Sequence, residues 1–362
     1  MLSPREALRA VPAYHPPLAG RDGLRLDFNE NTVGCSPRVL ERLRQLTPDD
    51  LARYPERETV EAVVADFLGV CASELLLTNG VDEAIHLLCQ TYLEAGDQAL
   101  IVVPTYSMYR IYITAAGARV ISVAAGKDFS FPAKAMCNAI TPRTRFIAIA
   151  NPNNPTGTVA PQEALLGIAR AAPAAAILVD EAYFEFCGQT VLTKFREFPN
   201  LFVTRTFSKA YGMAGLRVGA LAGDAEQMRV LRRVSSPYNV NAIALACLPA
   251  ALADQSYIQQ YVDEVLQSRA RLERALETNE IPFWRSRANF VLARVGSTPG
   301  ASAAFVEHMR RRGILVRDRS SDPGCEGCVR ITLGPRSHAD QLLAALQETL
   351  AELDLVQGAS RP

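Results

Sequence analysis

The stretch Thr204–Gly219 reads TRTFSKAYGMAGLRVG. Lys209 stands in a turn of small residues directly after the β-rich run Leu201–Phe207, and Arg217 follows inside a second small-residue cluster. An ammonium placed just past a buried strand loses hydration unless another group makes use of it. A cofactor aldehyde such as that of pyridoxal phosphate is one such use, because it condenses with a lysine amine. Gly212 and Gly215 let the backbone approach a flat ring closely, and Arg217 carries the fork of donors that holds a phosphate. A surface loop with a solvated lysine and arginine accounts for the stretch equally well when it is taken alone.

Composition narrows the setting. The chain has 362 residues, long for one core, so one large domain and a smaller one are expected. Hydrophobic residues make up 49% and charged residues 21%, the balance of an ordinary globular protein. Lys+Arg and Asp+Glu number 38 each, so no basic surface for nucleic acid or anionic membrane is indicated. No apolar run reaches the roughly 18 residues of a membrane span. The opening MLSPREALRAVPAYHPP lacks the apolar core of a secretory signal, which points to the cytoplasm. The cysteines are scattered, mostly in apolar segments such as Leu87-Leu88-Cys89, as in a reducing compartment. Cys325-Glu326-Gly327-Cys328 has the CxxC spacing but no second pair or histidine cluster, so no metal is expected.

Along the chain, Leu24–Phe28 alternates like a strand and leads into Asn29-Glu30-Asn31. Ser36-Pro37 opens a helix with Val39, Leu40, Leu43 and Leu46 on its apolar face. Tyr54 lies in a proline-bounded loop. Leu75–Thr78 is a short strand that turns at Asn79-Gly80-Val81-Asp82-Glu83 into a helix, whose N-terminus presents free N–H groups suited to a phosphate. Further strands are expected at 99–103, 119–123, 146–150, 176–179, 201–207 and 218–222, with helices such as 162–171 and 225–234 between them. Continuous apolar strands separated by helices predict an α/β fold: a mostly parallel sheet covered on both faces. Ligands in such sheets bind beyond the carboxyl ends of the strands. Tyr106, Asn154, Asp180 and Lys209 each follow one of these ends. Asp180 ends a strand that should be fully buried, and a buried carboxylate needs a positive partner such as a pyridinium nitrogen. A helix cap or an internal ion pair also accounts for Asp180 by itself. No GxGxxG or GxxxxGK[ST] occurs, which disfavours a dinucleotide or P-loop site.

Taken together, Asn153–Gly157 (NNPTG), Asp180–Tyr183 (DEAY) and Ser208–Gly219 (SKAYGMAGLRVG) resemble the fold-type-I aminotransferases of the class I/II superfamily. Asn29-Glu30-Asn31, Arg53-Tyr54-Pro55, Gly80–Glu83, Pro104–Tyr109, Gly313–Arg317 and Val329–Gly334 are similar to its histidinol-phosphate aminotransferase subgroup. The resemblance runs nearly end to end. It implies a fold-type-I large domain over residues 36–245, a smaller α+β C-terminal domain over 246–362, and an N-terminal arm over 1–35 packing with the small domain. It further implies pyridoxal 5'-phosphate as cofactor, with Lys209 attached to its aldehyde and Asp180 paired with its ring nitrogen. Asn154 and Tyr183 would bond the ring hydroxyl oxygen, and Tyr106 would lie over the ring. Val81, Asp82, Ser208, Arg217 and a neighbouring subunit's Tyr54 would hold the phosphate, which implies a homodimer. Asn29 and Tyr14 would serve the substrate, with Arg330 clamping an α-carboxylate and Arg317 a second anionic group. The implied reaction is transamination between L-histidinol phosphate and 2-oxoglutarate. Thr32-Val33-Gly34 after Asn31, and Ala13 before Tyr14, depart from the family pattern near the substrate mouth. An aromatic or broad-specificity aminotransferase and a threonine-phosphate decarboxylase-like enzyme therefore stay open as alternatives.

Overall fold

The sheet grows from runs of residues that have no polar side to show to water. The computed structural model describes residues 2–9, 11, 20 and 22–359, with side chains in the last helix described to residue 353. After a short strand β1 (Leu24–Arg25) come β2 (Leu75–Thr78), β3 (Gln98–Val103), β4 (Arg119–Ala124), β5 (Thr144–Ala150), β6 (Ala176–Asp180), β7 (Leu201–Thr206) and β8 (Gly219–Gly223). Strands β2 to β8 form one sheet in the order β2-β8-β7-β6-β5-β3-β4. Its pairings are parallel except those of β8, which runs antiparallel to both neighbours. Every residue of β2, β6, β7 and β8 is buried. Alternate side chains feed two cores, with Leu75, Ile177, Val179 and Val203 on one face and Leu76, Leu178, Phe202 and Leu221 on the other. Burial of each such side chain contributes about 1.5–3 kcal/mol, which makes the two-sided sheet the dominant source of stability.

The C-terminal part adds β9 (Phe283–Trp284), β10 (Phe290–Arg294), β11 (Ile314–Leu315), β12 (Arg317–Asp318) and β13 (Cys328–Thr332). Strands β9, β10, β12 and β13 form an antiparallel sheet in the order β12-β13-β10-β9. The helix Gln255–Thr278 packs on Arg336–Ala359 beside it. Strand β1 pairs in parallel with β11, so the N-terminal segment is bonded to the C-terminal part of the chain. The helix Ala242–Leu252 runs across the 245/246 division expected from sequence and packs on Pro37–Arg44 and Glu58–Leu68.

Local chemistry accounts for the departures from the sequence expectations. Strand pairing in 24–28 stops at Arg25, and Asn29 adopts a left-handed φ of 56° that redirects the chain. The Leu26 carbonyl is taken instead by the Thr332 N–H. The Ser36 side chain caps its helix as expected, accepting from the Arg38 N–H. Val39 is buried there, whereas Leu40 is exposed and does not belong to the core face. The helix after Asp224 ends at Leu231, three residues short of its expected end.

Glu181 ties the strand ends together from behind. It accepts from Arg205 Nε at 2.9 Å, Thr190 Oγ1 at 2.7 Å and the Val191 N–H at 2.7 Å. The Arg205 guanidinium lies 3.4 Å from the Phe184 ring centroid. Both charged side chains are buried, and removing one partner of such a pair strands the other charge. Glu181→Ala should therefore cost about 3–5 kcal/mol of unfolding free energy. A denaturant midpoint change equivalent to less than about 1 kcal/mol would show that Arg205 finds another partner.

Candidate functional site

Register brings the chemistry-bearing residues to one edge. Asp180 is the last residue of β6, opposite Ala150 on β5 and Thr204 on β7. Asn154 follows β5 by four residues and Lys209 follows β7 by three. Three parallel strands thus deliver the ring-binding groups from one side of the sheet.

Asp180 is the most constrained of them, at 5% exposure. Its Oδ1 accepts from Thr204 Oγ1 at 3.0 Å and the Ala182 N–H at 3.1 Å, and Oδ2 accepts from the Tyr109 hydroxyl at 2.6 Å. Burial pushes its pKa up, while these donors pull it down. Among the described residues no Lys, Arg or His side chain pairs with it. A dry carboxylate with three neutral donors and no cation of its own fits a cationic ring nitrogen. Tyr109 and Thr204 were not singled out from sequence. Tyr109 lies in the first turn of the helix Ser107–Ala115, whose N-cap is Tyr106, and the two rings meet edge-on with centroids 5.7 Å apart.

Lys209 is half-buried, and its Nζ donates to the Phe28 carbonyl at 3.2 Å. Burial, reinforced by the Arg330 guanidinium, pulls its pKa down to about 8. A larger share of the amine is then neutral and nucleophilic near physiological pH. The turn that carries it is fitted closely to the arm. Gly212 has φ +67°, and a Cβ there would come within 2.5 Å of the Gly34 backbone. Asn31 Nδ2 donates to the Ala210 carbonyl at 2.9 Å.

Arg330, on β13, is 6% exposed. It donates to Asn154 Oδ1 at 2.5 Å and to the Asp27 carbonyl at 2.6 Å. Because Asn154 offers its oxygen to Arg330, its Nδ2 is the end left to donate elsewhere. Tyr183 accepts from Asn29 Nδ2 at 2.9 Å and keeps its own proton to donate, since burial raises its pKa. Asn29 was expected to touch substrate. At 1% exposure it is instead enclosed, with Thr332 Oγ1 bonded to its N–H and its Oδ1 at 3.1 Å each. Its link to the site runs through Tyr183. Arg317 faces Arg330 in register on β12, and its guanidinium lies 5.3 Å from the Phe28 ring centroid.

The phosphate-binding candidates gather around the helix Gly80–Tyr92. Its first N–H groups have no intrahelical acceptor, and Val81 and Asp82 occupy that first turn. A Cβ on Gly80 would come 2.5 Å from Arg217 Nη2, so only glycine lets this guanidinium lie against the helix start. Asp82 accepts from Arg217 at 3.2 Å and from the Tyr106 hydroxyl at 2.8 Å. The Ser208 N–H is bonded to Thr206 Oγ1 at 3.1 Å, which fixes the start of the Lys209 turn. This set suits a phosphorylated aromatic aldehyde: a helix N-terminus and an arginine at one end, an amine and a buried carboxylate at the other.

Tyr54 is 77% exposed and stacks on Tyr238 with ring centroids 4.2 Å apart. Tyr14 lies outside the described residues. Where the sequence departs from the family pattern, Thr32 Oγ1 is hydrogen-bonded to His338 Nδ1 at 2.9 Å. Both line a cavity of about 370 Å³ together with Arg25, Glu30, Asn31 and Ser208.

A lysine with its pKa near 8 makes a direct prediction. Covalent attachment of pyridoxal phosphate to the apoprotein, fixed by borohydride, should speed up as pH rises through about 8 and level off above it. Lys209→Ala should show none. A rate still climbing toward the usual lysine pKa of about 10.4 would contradict the depressed value.

The chain matches the family "Aminotransferase class I and II" over residues 21–346. It is 36% identical over 336 residues to a histidinol-phosphate aminotransferase of Paracoccus denitrificans, covering 91% of this chain and 90% of that protein. The corresponding protein of Roseobacter denitrificans is 38% identical over 330 residues, covering 89% and 90%. The crystal structure of histidinol-phosphate aminotransferase from Sinorhizobium meliloti in complex with pyridoxal-5'-phosphate superposes with a TM-score of 0.87 at 26% identity, covering 96% of this chain and 98% of that one. With its sheet, its strand-end site and these likenesses in agreement, the chain belongs to the class I and II aminotransferases, enzymes that work with pyridoxal phosphate.

Proposed function

We propose that the chain is a histidinol-phosphate transaminase, converting L-histidinol phosphate and 2-oxoglutarate to imidazole acetol phosphate and L-glutamate in histidine biosynthesis. The observation that carries the substrate choice is the register pair Arg317 and Arg330 on β12 and β13, with Arg330 donating to the Asp27 carbonyl and Arg317 lying 5.3 Å from the neighbouring Phe28 ring centroid. One arginine suits a carboxylate, and the second suits a phosphate or the side-chain carboxylate of glutamate. The relatives' names point the same way.

When bound, pyridoxal phosphate supplies the electron sink that acidifies the substrate Cα–H. Lys209 would hold the cofactor at rest; freed by the incoming amine, its Nζ would take the proton from that carbon and deliver it to the cofactor carbon that carried the aldehyde. Asp180 stabilises a positive ring nitrogen. Tyr183 and Asn154 Nδ2 donate to the ring oxygen, and Tyr106 covers one face of the ring. Arg217, Ser208 and the backbone at Val81 and Asp82 hold the phosphate. Residues 36–245 would serve as the large cofactor-binding domain and 246–362 as the small C-terminal domain, with the arm, residues 1–35, packing with the small domain. Strand β1 pairs with β11, which supports that grouping of arm and small domain.

Tyr54 fits a homodimer in which each copy lends this tyrosine to the other's phosphate site. The exposed Tyr54, Leu51 and Tyr238 give such an interface apolar surface. Among the described residues no helix is long and apolar enough to cross a membrane, in keeping with a cytoplasmic enzyme that takes small-molecule substrates.

L-histidinol phosphate should exceed unphosphorylated histidinol in kcat/KM by about ten- to a hundredfold per charge-assisted hydrogen bond to the phosphate. Arg317→Ala should erase much of that gap and weaken glutamate as well. Equal or better turnover of phenylalanine or tyrosine, indifferent to Arg317→Ala, would place the chain among the aromatic aminotransferases.

A further inference from the structure

Tyr109 is the third residue of the helix Ser107–Ala115 and is 0% exposed. Its ring meets Tyr106 edge-on, with centroids 5.7 Å apart. Its hydroxyl donates to Asp180 Oδ2 at 2.6 Å, while both donors from the β6–β7 side, Thr204 and Ala182, go to Oδ1. Tyr109 is thus the donor that reaches this carboxylate from the helix layer. A short O–H···O⁻ bond favours the ionised acceptor and restricts its rotation. We propose that Tyr109 is a positioning residue for the transamination: its hydroxyl keeps Asp180 ionised and oriented for the cofactor's ring nitrogen.

This inference rests on the proposed function, because it gives Asp180 the ring nitrogen as its cationic partner. The phenol itself stays protonated, since burial and the neighbouring Asp180 charge push its pKa well up. Around Asp180 the other titratable groups are Asp82 on the helix Gly80–Tyr92, whose charge opposes ionisation, and Tyr106 and Tyr183. Lys209 and Arg330 form the positive side of the site. Burial raises the Asp180 pKa, and the Tyr109 bond is the largest influence pulling it back. Without that hydroxyl the carboxylate protonates at higher pH, and cofactor binding fails sooner as pH falls.

The test measures the affinity of the apoprotein for pyridoxal phosphate as pH is lowered from neutral. It uses the unsubstituted chain, Tyr109→Phe and Asp180→Asn. Tyr109→Phe should move the acid limb of binding up by about one pH unit, tenfold in affinity on that limb, with little change at neutral pH. Asp180→Asn should bind weakly, keeping only the decline that protonation of Lys209 imposes on all three chains. Coincident limbs in the unsubstituted chain and Tyr109→Phe would overturn the role of Tyr109 while leaving the transaminase reading intact. A uniform loss at every pH in Tyr109→Phe would overturn it too. So would a Tyr109→Phe chain that no longer unfolds cooperatively, which would make the hydroxyl a structural requirement. Absence of binding by the unsubstituted chain would remove both readings together.

Discussion

A carboxylate at the end of a fully buried strand is the constraint on which the rest depends. Asp180 has three neutral donors and no cationic side chain bonded to it among the described residues. Its charge is tolerable only if a positive group completes the site. The strand order puts β5 and β7 on either side of β6, so Asn154 and Lys209 arrive on the flanks of that carboxylate. The antiparallel β8 then brings its leading residue, Gly219, against the start of the helix Gly80–Tyr92. A Cβ at Gly219 would lie 3.2 Å from the Val81 nitrogen, so the phosphate end of the site is packed as tightly as the ring end.

The arm and the C-terminal sheet share one apolar cluster with the large sheet, through residues such as Leu26, Phe290 and Ile331, and a set of polar contacts links them to this centre. Thr332 bonds Asn29, Asn29 bonds Tyr183, and Arg330 bridges Asp27 and Asn154. Neutral hydrogen bonds of this kind contribute about 0.5–1.5 kcal/mol each. The lowered pKa of Lys209 belongs to the same arrangement, because Arg330 adds to the effect of burial. Groups that would bind the substrate therefore also tune the group that would attack the cofactor.

The strand ends were legible in the sequence because each buried strand is a continuous apolar run and the polar residue that breaks it stands out. Asp180, Asn154 and Lys209 could be picked out in this way. Tyr109 could not, because a tyrosine within an amphipathic helix looks like core until the fold sets it against Asp180. Asn29 was found, but its partners Thr332 and Tyr183 are distant in sequence, and no local pattern encodes that enclosure. Leu40 followed the helical period and yet faces outward, since periodicity locates a face without saying what covers it. Glu181 and Arg205 sit in apolar surroundings, and their pairing across β6 and β7 depends on register, which the sequence leaves implicit.

The central claim is that the amine of Lys209 and the carboxylate of Asp180 face the same cofactor. Peptide mass mapping of the holoprotein after borohydride reduction tests it most directly. One pyridoxyl-phosphate adduct per chain, located on Lys209 and depleted in Asp180→Asn, is the result this account predicts. An adduct on another lysine, or Lys209 labelling indifferent to Asp180→Asn, would contradict it.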